Sequence, residues 1–161
     1  MSELDLLEAP PGHLVLQTMR SHDQFNTTIY GLSDRYRGIE GGLHAILLNY
    51  RDMEALNLSD GDHADIVAHW PGDNVDRRVQ NFRVAEYETP RGSVAAYYPE
   101  TKPLVPLGSV AKDSNTPTSK SVVVRLERSE GGRTPHESPP WPMDPTMRPD
   151  LTDVRRRLPI P

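Results

Sequence analysis

Two polar segments of the sequence carry side chains that could bind an anionic ligand. Residues 18–27 read TMRSHDQFNT and combine a guanidinium, hydroxyls, an imidazole and two carboxamides. Residues 113–120 read DSNTPTSK and place small hydroxyl and amide side chains beside a lysine. Such groups bind phosphate oxygens and can contact purine edges, and small side chains let backbone N–H groups approach the ligand. An ordinary polar loop would explain either segment taken alone.

Each polar segment adjoins an apolar stretch that predicts a buried strand. Residues 13–18 (HLVLQT) run into the first segment, and residues 121–126 (SVVVRL) follow the second. A rigid strand end holds the side chains beside it in a fixed position. Glu100 and Thr101 form a third chemically dense point, so the sequence predicts a binding mouth built from several loops.

The remaining patterns predict a small barrel. Apolar, alternating and β-branched runs predict four further strands, at residues 44–48, 63–70, 75–84 and 93–98. A short helix over residues 50–58 is expected between the second and third strands, with Asn49 as its N-cap and Asp52 as the acidic residue at the third helical position. The apolar phase changes between Val79 and Phe82, which predicts a β-bulge near Gln80 and Asn81. Short strands with turns about every ten residues suggest a closed mainly-β barrel of six strands with one or two short helices.

Composition sets limits on the function. The chain has 161 residues with a net charge of −5, which argues against a dedicated nucleic-acid binder. It contains no cysteine, which excludes thiolate metal sites and thiol catalysis. The histidines form no metal-ligand spacing, so we predict no metal ligated by this chain. No apolar run is long enough to cross a membrane, and the acidic first ten residues lack the pattern of a signal peptide, so we expect a cytoplasmic protein.

Proline content predicts the domain limits. Eight of the 16 prolines follow Ser129, and residues 129–161 show neither a helical nor a strand period. We expect residues 1–11 to be an acidic lead-in, residues 12–128 to be the folded barrel and residues 129–161 to be a disordered tail.

The order of several segments resembles the C-terminal dinucleotide-binding domain of molybdopterin oxidoreductases, closest to the formate-dehydrogenase-like group. The similarity extends from about Leu14 to Glu127. It is carried by segments at residues 18–27, 49–62 (NYRDMEALNLSDGD), 90–92 (PRG), 98–101 (YPET) and 114–121 (SNTPTSKS). The resemblance implies a double-psi β-barrel, six strands with crossed connections, that binds molybdopterin guanine dinucleotide.

The resemblance also implies which residues contact the cofactor. Those on the first loop would be Thr18, Arg20, Ser21, His22, Gln24, Asn26 and Thr27. Those on the later loops would be Glu100, Thr101, Asn115, Ser119 and Lys120. The cofactor itself would carry molybdenum or tungsten.

A full enzyme of this family is several times longer, and this chain has no cysteine to ligate the metal. We therefore expect no catalytic residue here and no turnover by this chain alone. The expected partner is a larger catalytic chain or domain of the same oxidoreductase, with no nucleic acid or membrane contact. Two alternatives remain: a non-enzymatic interaction module that uses the barrel and the proline-rich tail, and an independent small-molecule enzyme, for which no acid–base pair is evident.

Overall fold

The computed structural model describes residues 9–22, 24, 31 and 33–130. Within these residues six strands close into a barrel, as the sequence predicts. The strands are β1 (Leu14–Met19), β2 (Ala45–Leu48), β3 (His63–Ala68), β4 (Arg77–Glu86), β5 (Ser93–Tyr97) and β6 (Val122–Arg128). Helix α1 (Tyr50–Ala55) follows β2, and a single 3-10 turn covers Lys102–Leu104. The predicted lead-in and tail lie mostly outside the described residues, and the domain limits stay a prediction.

Of the neighbouring strand pairs in the described barrel, β3 and β4 alone are consecutive in the sequence. Their order around the barrel is β1-β5-β2-β4-β3-β6. The pairs β1–β5 and β2–β4 are parallel, and the other four pairs are antiparallel. Parallel neighbours cannot be joined by a hairpin, so the connections must cross an end of the barrel. This pairing is consistent with the double-psi topology that the sequence suggests.

Two apolar clusters hold the strands. The main cluster fills the barrel and includes Leu16, Ile46 and Phe82, each fully buried. A second cluster contains Ile39, Leu43 and Tyr97 and lies where the long loop after β1 returns to the barrel. The second cluster therefore anchors the loop that leads away from the first polar segment.

Helix α1 is shorter than predicted. Asn49 does cap it, because its side chain accepts a hydrogen bond from the Arg51 N–H at 3.0 Å. The helix ends at Ala55 because Asn57 adopts a φ of 54°, a left-handed conformation common just past a helix end. Asp52 does not close a capping box as expected: its Oδ2 accepts a hydrogen bond from the Gly92 N–H at 2.8 Å.

The predicted bulge is confirmed. Strand pairing jumps from Ala64–Phe82 to Ile66–Val79, so two residues of β4, Gln80 and Asn81, face one residue of β3. Asn81 takes a φ of 61° there. The residue opposite, Asp65, is buried although alternation along β3 predicts an exposed position. Its carboxylate is covered because it accepts hydrogen bonds from the groups around the bulge.

In the part of the chain that the structure describes, no helix has the length and apolar character needed to span a membrane.

Candidate functional site

Strand register brings the two polar segments to one rim of the barrel. The antiparallel pairing of β1 with β6 places Leu16 opposite Val122, and Lys120 lies two residues before the start of β6. The Lys120 ammonium donates a hydrogen bond to the Thr18 carbonyl oxygen. Thr18 itself is buried, so its side chain faces the barrel rather than the solvent. The predicted meeting of the two loops is therefore present.

A third segment reaches the same rim through β5. Parallel pairing sets Met19 beside Tyr97, and just past the end of β5 the Tyr98 N–H donates to the Met19 carbonyl at 2.7 Å. The Arg20 guanidinium carbon lies 5.5 Å from the centre of the Tyr98 ring, within the range of a cation–π contact. Residues 18–20, 97–98 and 120 thus form one surface, which we call the cationic rim.

The cationic rim holds two like charges close together. Burial lowers the pKa of the Lys120 ammonium, and the nearby Arg20 guanidinium lowers it further. Among the described residues, no carboxylate forms an ion pair with Arg20 or Lys120. Two nearby cations repel each other, and an anion between them would remove that repulsion. The rim is therefore suited to a phosphate or pyrophosphate group.

Ser21 provides an additional polar group beside the rim. The residue is 3% exposed, and within the described part of the chain its hydroxyl oxygen has no hydrogen-bond partner. A buried hydroxyl without a partner costs free energy, and a ligand oxygen could satisfy it. Its position between Arg20 and His22 supports the predicted site on the first loop.

His22 lies on a cluster that the sequence analysis did not identify. Its Nδ1 is 3.3 Å from Asp34 Oδ1 and 3.2 Å from Arg37 Nη1, and its ring centre is 4.8 Å from that of Tyr36. Asp34 also accepts a hydrogen bond from the Tyr97 hydroxyl at 3.1 Å and from Arg37. No local pattern marks Asp34 or Arg37, because their importance depends on contacts with residues far away in the sequence.

The electrostatics of this cluster keep its carboxylate ionised. Burial alone would raise the pKa of the Asp34 carboxyl, but hydrogen bonds from Arg37, Tyr97 and His22 outweigh it and lower the pKa. Burial and the neighbouring Asp34 carboxylate raise the pKa of the Tyr97 phenol, so this group stays protonated and acts as a donor.

The turn after β5 contains Glu100 and Thr101. Thr101 is fully buried, and its hydroxyl donates to the Tyr97 carbonyl at 3.0 Å. Its side chain therefore stabilises the turn that presents Tyr98. Glu100 is partly exposed on the same turn. The predicted cofactor contacts of both residues stay predictions.

The second polar segment, residues 113–120, belongs to a small hairpin. Thr118 N donates to the Ser109 carbonyl at 3.0 Å, and the two side-chain hydroxyls are hydrogen bonded. Asn115 lies exposed within this hairpin at a φ of 53°, and its side chain contacts no rim residue in the described part of the chain. Ser119 is partly exposed and joins the hairpin to Lys120.

The structure gives little information on three of the predicted cofactor contacts, Gln24, Asn26 and Thr27. Gln24 is buried, and its backbone N–H donates to the Ser21 carbonyl at 3.1 Å. Asn26 and Thr27 lie outside the described residues. Among the residues that the structure describes, no three histidine or acidic side chains cluster closely enough to hold a metal ion.

Comparisons with known proteins identify one family model and several similar proteins. A family model described as the molydopterin dinucleotide binding domain matches residues 14–126. An uncharacterised oxidoreductase of Mycobacterium tuberculosis is 53% identical over 130 residues, which are 79% of this chain and 17% of the relative. The protein YdeP of Escherichia coli is 35% identical over 129 residues, which are 77% of this chain and 17% of that protein. The chain therefore spans only a small part of the length of the relatives it matches.

Proposed function

Because the chain belongs to the molydopterin dinucleotide binding domain family, we propose that its cationic rim binds the guanine dinucleotide form of molybdopterin. The observation that carries this proposal is the approach of Arg20 to Lys120 without a described carboxylate between them. A pyrophosphate group supplies the missing negative charge, and Arg20 can donate two parallel hydrogen bonds to it.

The residues on the rim fit such a group. Lys120 uses one donor on the Thr18 carbonyl and retains two for a ligand. The buried Ser21 hydroxyl supplies a further donor, and His22 lies on the adjoining surface. The task of this chain is to hold and orient the dinucleotide. When bound, the cofactor supplies a molybdenum or tungsten centre for redox chemistry.

We further propose that the redox reaction belongs to a larger chain or domain of a formate-dehydrogenase-like oxidoreductase. The short coverage of the relatives supports this, since most of their length has no counterpart here. An apolar loop near the hairpin also favours a protein contact: Leu107 is 99% exposed and Val110 is 41% exposed. Large exposed apolar side chains commonly mark interaction surfaces when they cluster. A cytoplasmic location stays a prediction.

Titration calorimetry of the full 161-residue chain tests the proposed ligand. Guanosine diphosphate carries both the base and the pyrophosphate, so we expect it to bind more tightly than uridine diphosphate or inorganic pyrophosphate. A double Arg20→Ala and Lys120→Ala variant should weaken guanosine diphosphate binding by at least about tenfold, because hydrogen bonds to charged groups are lost.

The matched control is Lys112→Ala. Lys112 is an exposed lysine of the same hairpin, with no ion pair in the described part of the chain. It is compared with the single Lys120→Ala variant, because each removes one positive charge, so an equal loss of affinity in these two variants would indicate a general charge effect. Equal affinity for the two nucleotides and pyrophosphate would contradict the guanine assignment. No binding by the wild-type chain would contradict the proposed site.

A further inference from the structure

A buried carboxylate lies beneath the first loop of the rim. The Asp34 side chain is fully buried, and its backbone closes a turn in which Asp34 N donates to the Ile39 carbonyl at 2.8 Å. The Ile39 N–H returns a hydrogen bond to the Asp34 carbonyl at 3.0 Å. Since Ile39 and Tyr97 both belong to the second apolar cluster, Asp34 is fixed to the barrel from two directions.

Arg37 connects this fixed carboxylate to the rim. Its Nη1 donates hydrogen bonds to Asp34 Oδ2 and to the Arg20 carbonyl, the latter at 3.2 Å. The same Nη1 is 3.2 Å from His22 Nδ1. One planar guanidinium thus contacts both residues that flank the buried Ser21 hydroxyl.

The charge of Arg37 is already balanced by Asp34. Their ion pair joins a fully buried carboxylate to a largely buried guanidinium. Arg37 is therefore poorly suited to attract an anion itself. Its hydrogen bond instead fixes the backbone at Arg20, and Asp34 itself orients the His22 ring, so that the pair determines where the first loop lies.

We propose that Asp34 is a positioning residue that acts through Arg37 to hold Arg20, Ser21 and His22 in the arrangement that receives the anion. This inference rests on the proposed function. It concerns a residue that touches no ligand, and it extends the binding site beneath the rim to the turn at residues 34–39.

An effect of charge alone and a positioning role predict opposite changes in anion affinity for Asp34→Asn. The substitution removes one negative charge near the rim, so electrostatics alone predicts tighter binding of an anion. Positioning predicts weaker binding, because Arg37 loses the partner that fixes it. Arg37→Lys separates the two effects in another way, since it keeps the charge but replaces the rigid Nη1 group, whose two N–H bonds point to Asp34 and the Arg20 carbonyl, with a flexible ammonium.

Asp65→Asn is the matched control. Asp65 is also buried and also accepts from an arginine, with Arg78 Nη1 at 3.1 Å from its Oδ2. It lies on β3 beside the bulge, and the structure gives it no contact with a described residue of the rim. Both aspartate variants remove one charge and disturb one buried network.

The experiment measures guanosine diphosphate affinity and the thermal midpoint of the full-length wild type, Asp34→Asn, Arg37→Lys and Asp65→Asn. We expect Asp34→Asn and Arg37→Lys to weaken binding by about tenfold, the lower end of the effect of losing a residue that orients a ligand-binding group. Asp65→Asn should lower the thermal midpoint and leave the affinity within about twofold of wild type.

Unchanged or tighter binding by a folded Asp34→Asn or Arg37→Lys variant would overturn the positioning role while leaving the proposed function intact. Equal weakening by Asp65→Asn would also overturn it, because the effect would then follow from lost stability. If Asp34→Asn does not fold, the more exposed Arg37→Lys variant decides the question alone. A wild-type chain that binds no guanosine diphosphate would remove the proposed function and this inference together.

Discussion

The Lys120 ammonium donates a hydrogen bond to the Thr18 carbonyl, although the two residues lie 102 positions apart in the chain. Antiparallel pairing brings the end of β1 beside the start of β6, so barrel closure itself delivers the lysine to the first loop. Partial burial lowers the pKa of the Lys120 ammonium, and the nearby Arg20 guanidinium lowers it further, so Lys120 is easier to deprotonate than an ordinary lysine.

This low pKa gives anion binding an alkaline limit. Guanosine diphosphate affinity should fall as the pH rises through the pKa of Lys120, which lies below its ordinary value of 10.5, because only the charged form attracts the ligand. Lys120→Arg should remove this part of the fall, since a guanidinium stays charged. Affinities measured from neutral to alkaline pH check this. Ionisation of the nucleotide changes the affinity of the wild type and of Lys120→Arg alike. An equal fall in affinity with pH for these two proteins would therefore contradict the prediction.

Arg20→Ala should weaken nucleotide binding and leave the free energy of unfolding nearly unchanged. It is exposed, and its guanidinium contact is the face of Tyr98, so Arg20→Ala should change the free energy of unfolding by no more than about 0.5 kcal/mol. Arg20→Lys should recover only part of the lost nucleotide affinity if the guanidinium binds as a fork. Denaturant melts and calorimetry of the two variants test both statements, and full recovery by lysine would show that charge alone is needed.

Lys120→Ala should cost more stability than Arg20→Ala, by about 1 kcal/mol, because it removes a hydrogen bond to a partly buried carbonyl. The same denaturant melts distinguish them, and equal values would mean that the Thr18 contact contributes nothing.

Asp65 should give the barrel part of its acid sensitivity. Burial would raise the pKa of its carboxyl, but hydrogen bonds from Ser129, Asn81 and Arg78 lower it below the ordinary value of 3.8. The folded state therefore binds this proton less readily than the unfolded chain does. The stabilisation is complete above the unfolded pKa and disappears as the pH falls through the lower folded value. Asp65→Asn should flatten the loss of stability below about pH 4, and an unchanged acid limb in denaturant melts would contradict this.

Asn49 should stabilise the fold through two separate side-chain hydrogen bonds. Besides capping α1, its side-chain amide donates to the Thr89 carbonyl at 2.8 Å and so ties the helix to the turn before β5. Asn49→Ala should lower the free energy of unfolding by about 1–2 kcal/mol, the upper range for a lost cap. Glu54→Ala on the exposed face of the same helix is the control and should be close to neutral. Equal losses in the two variants would show that neither the cap nor the link to Thr89 contributes to stability.

The chain alone should not reduce a dye with formate, even when loaded with cofactor. The described residues include no metal-ligand cluster and none of the cysteines that could ligate the metal, since the whole sequence lacks them. The assay uses cofactor-loaded protein with the larger enzyme absent. Turnover that resists further purification would show that the chain carries a complete active site.

Local patterns predicted what depends on local chemistry. The phase change between Val79 and Phe82 located the bulge, and the Asn49 cap followed from residue preference at a helix start. The register that joins Thr18 to Lys120 could be expected only in general terms, from barrel closure. Asp34 was missed because its contact with Tyr97 spans 63 positions and leaves no periodic signal. Thr101 was placed at the right turn, but its burial depends on packing that no short motif encodes.

Closure of the barrel also limits how another protein can engage this domain. Each strand from β1 to β6 is hydrogen bonded on both sides, so the described sheet offers no free edge to which an incoming strand could be added. A partner must instead recognise side chains on the loops and on the outer faces of the strands. The same property protects the domain from edge-to-edge aggregation when it is expressed alone.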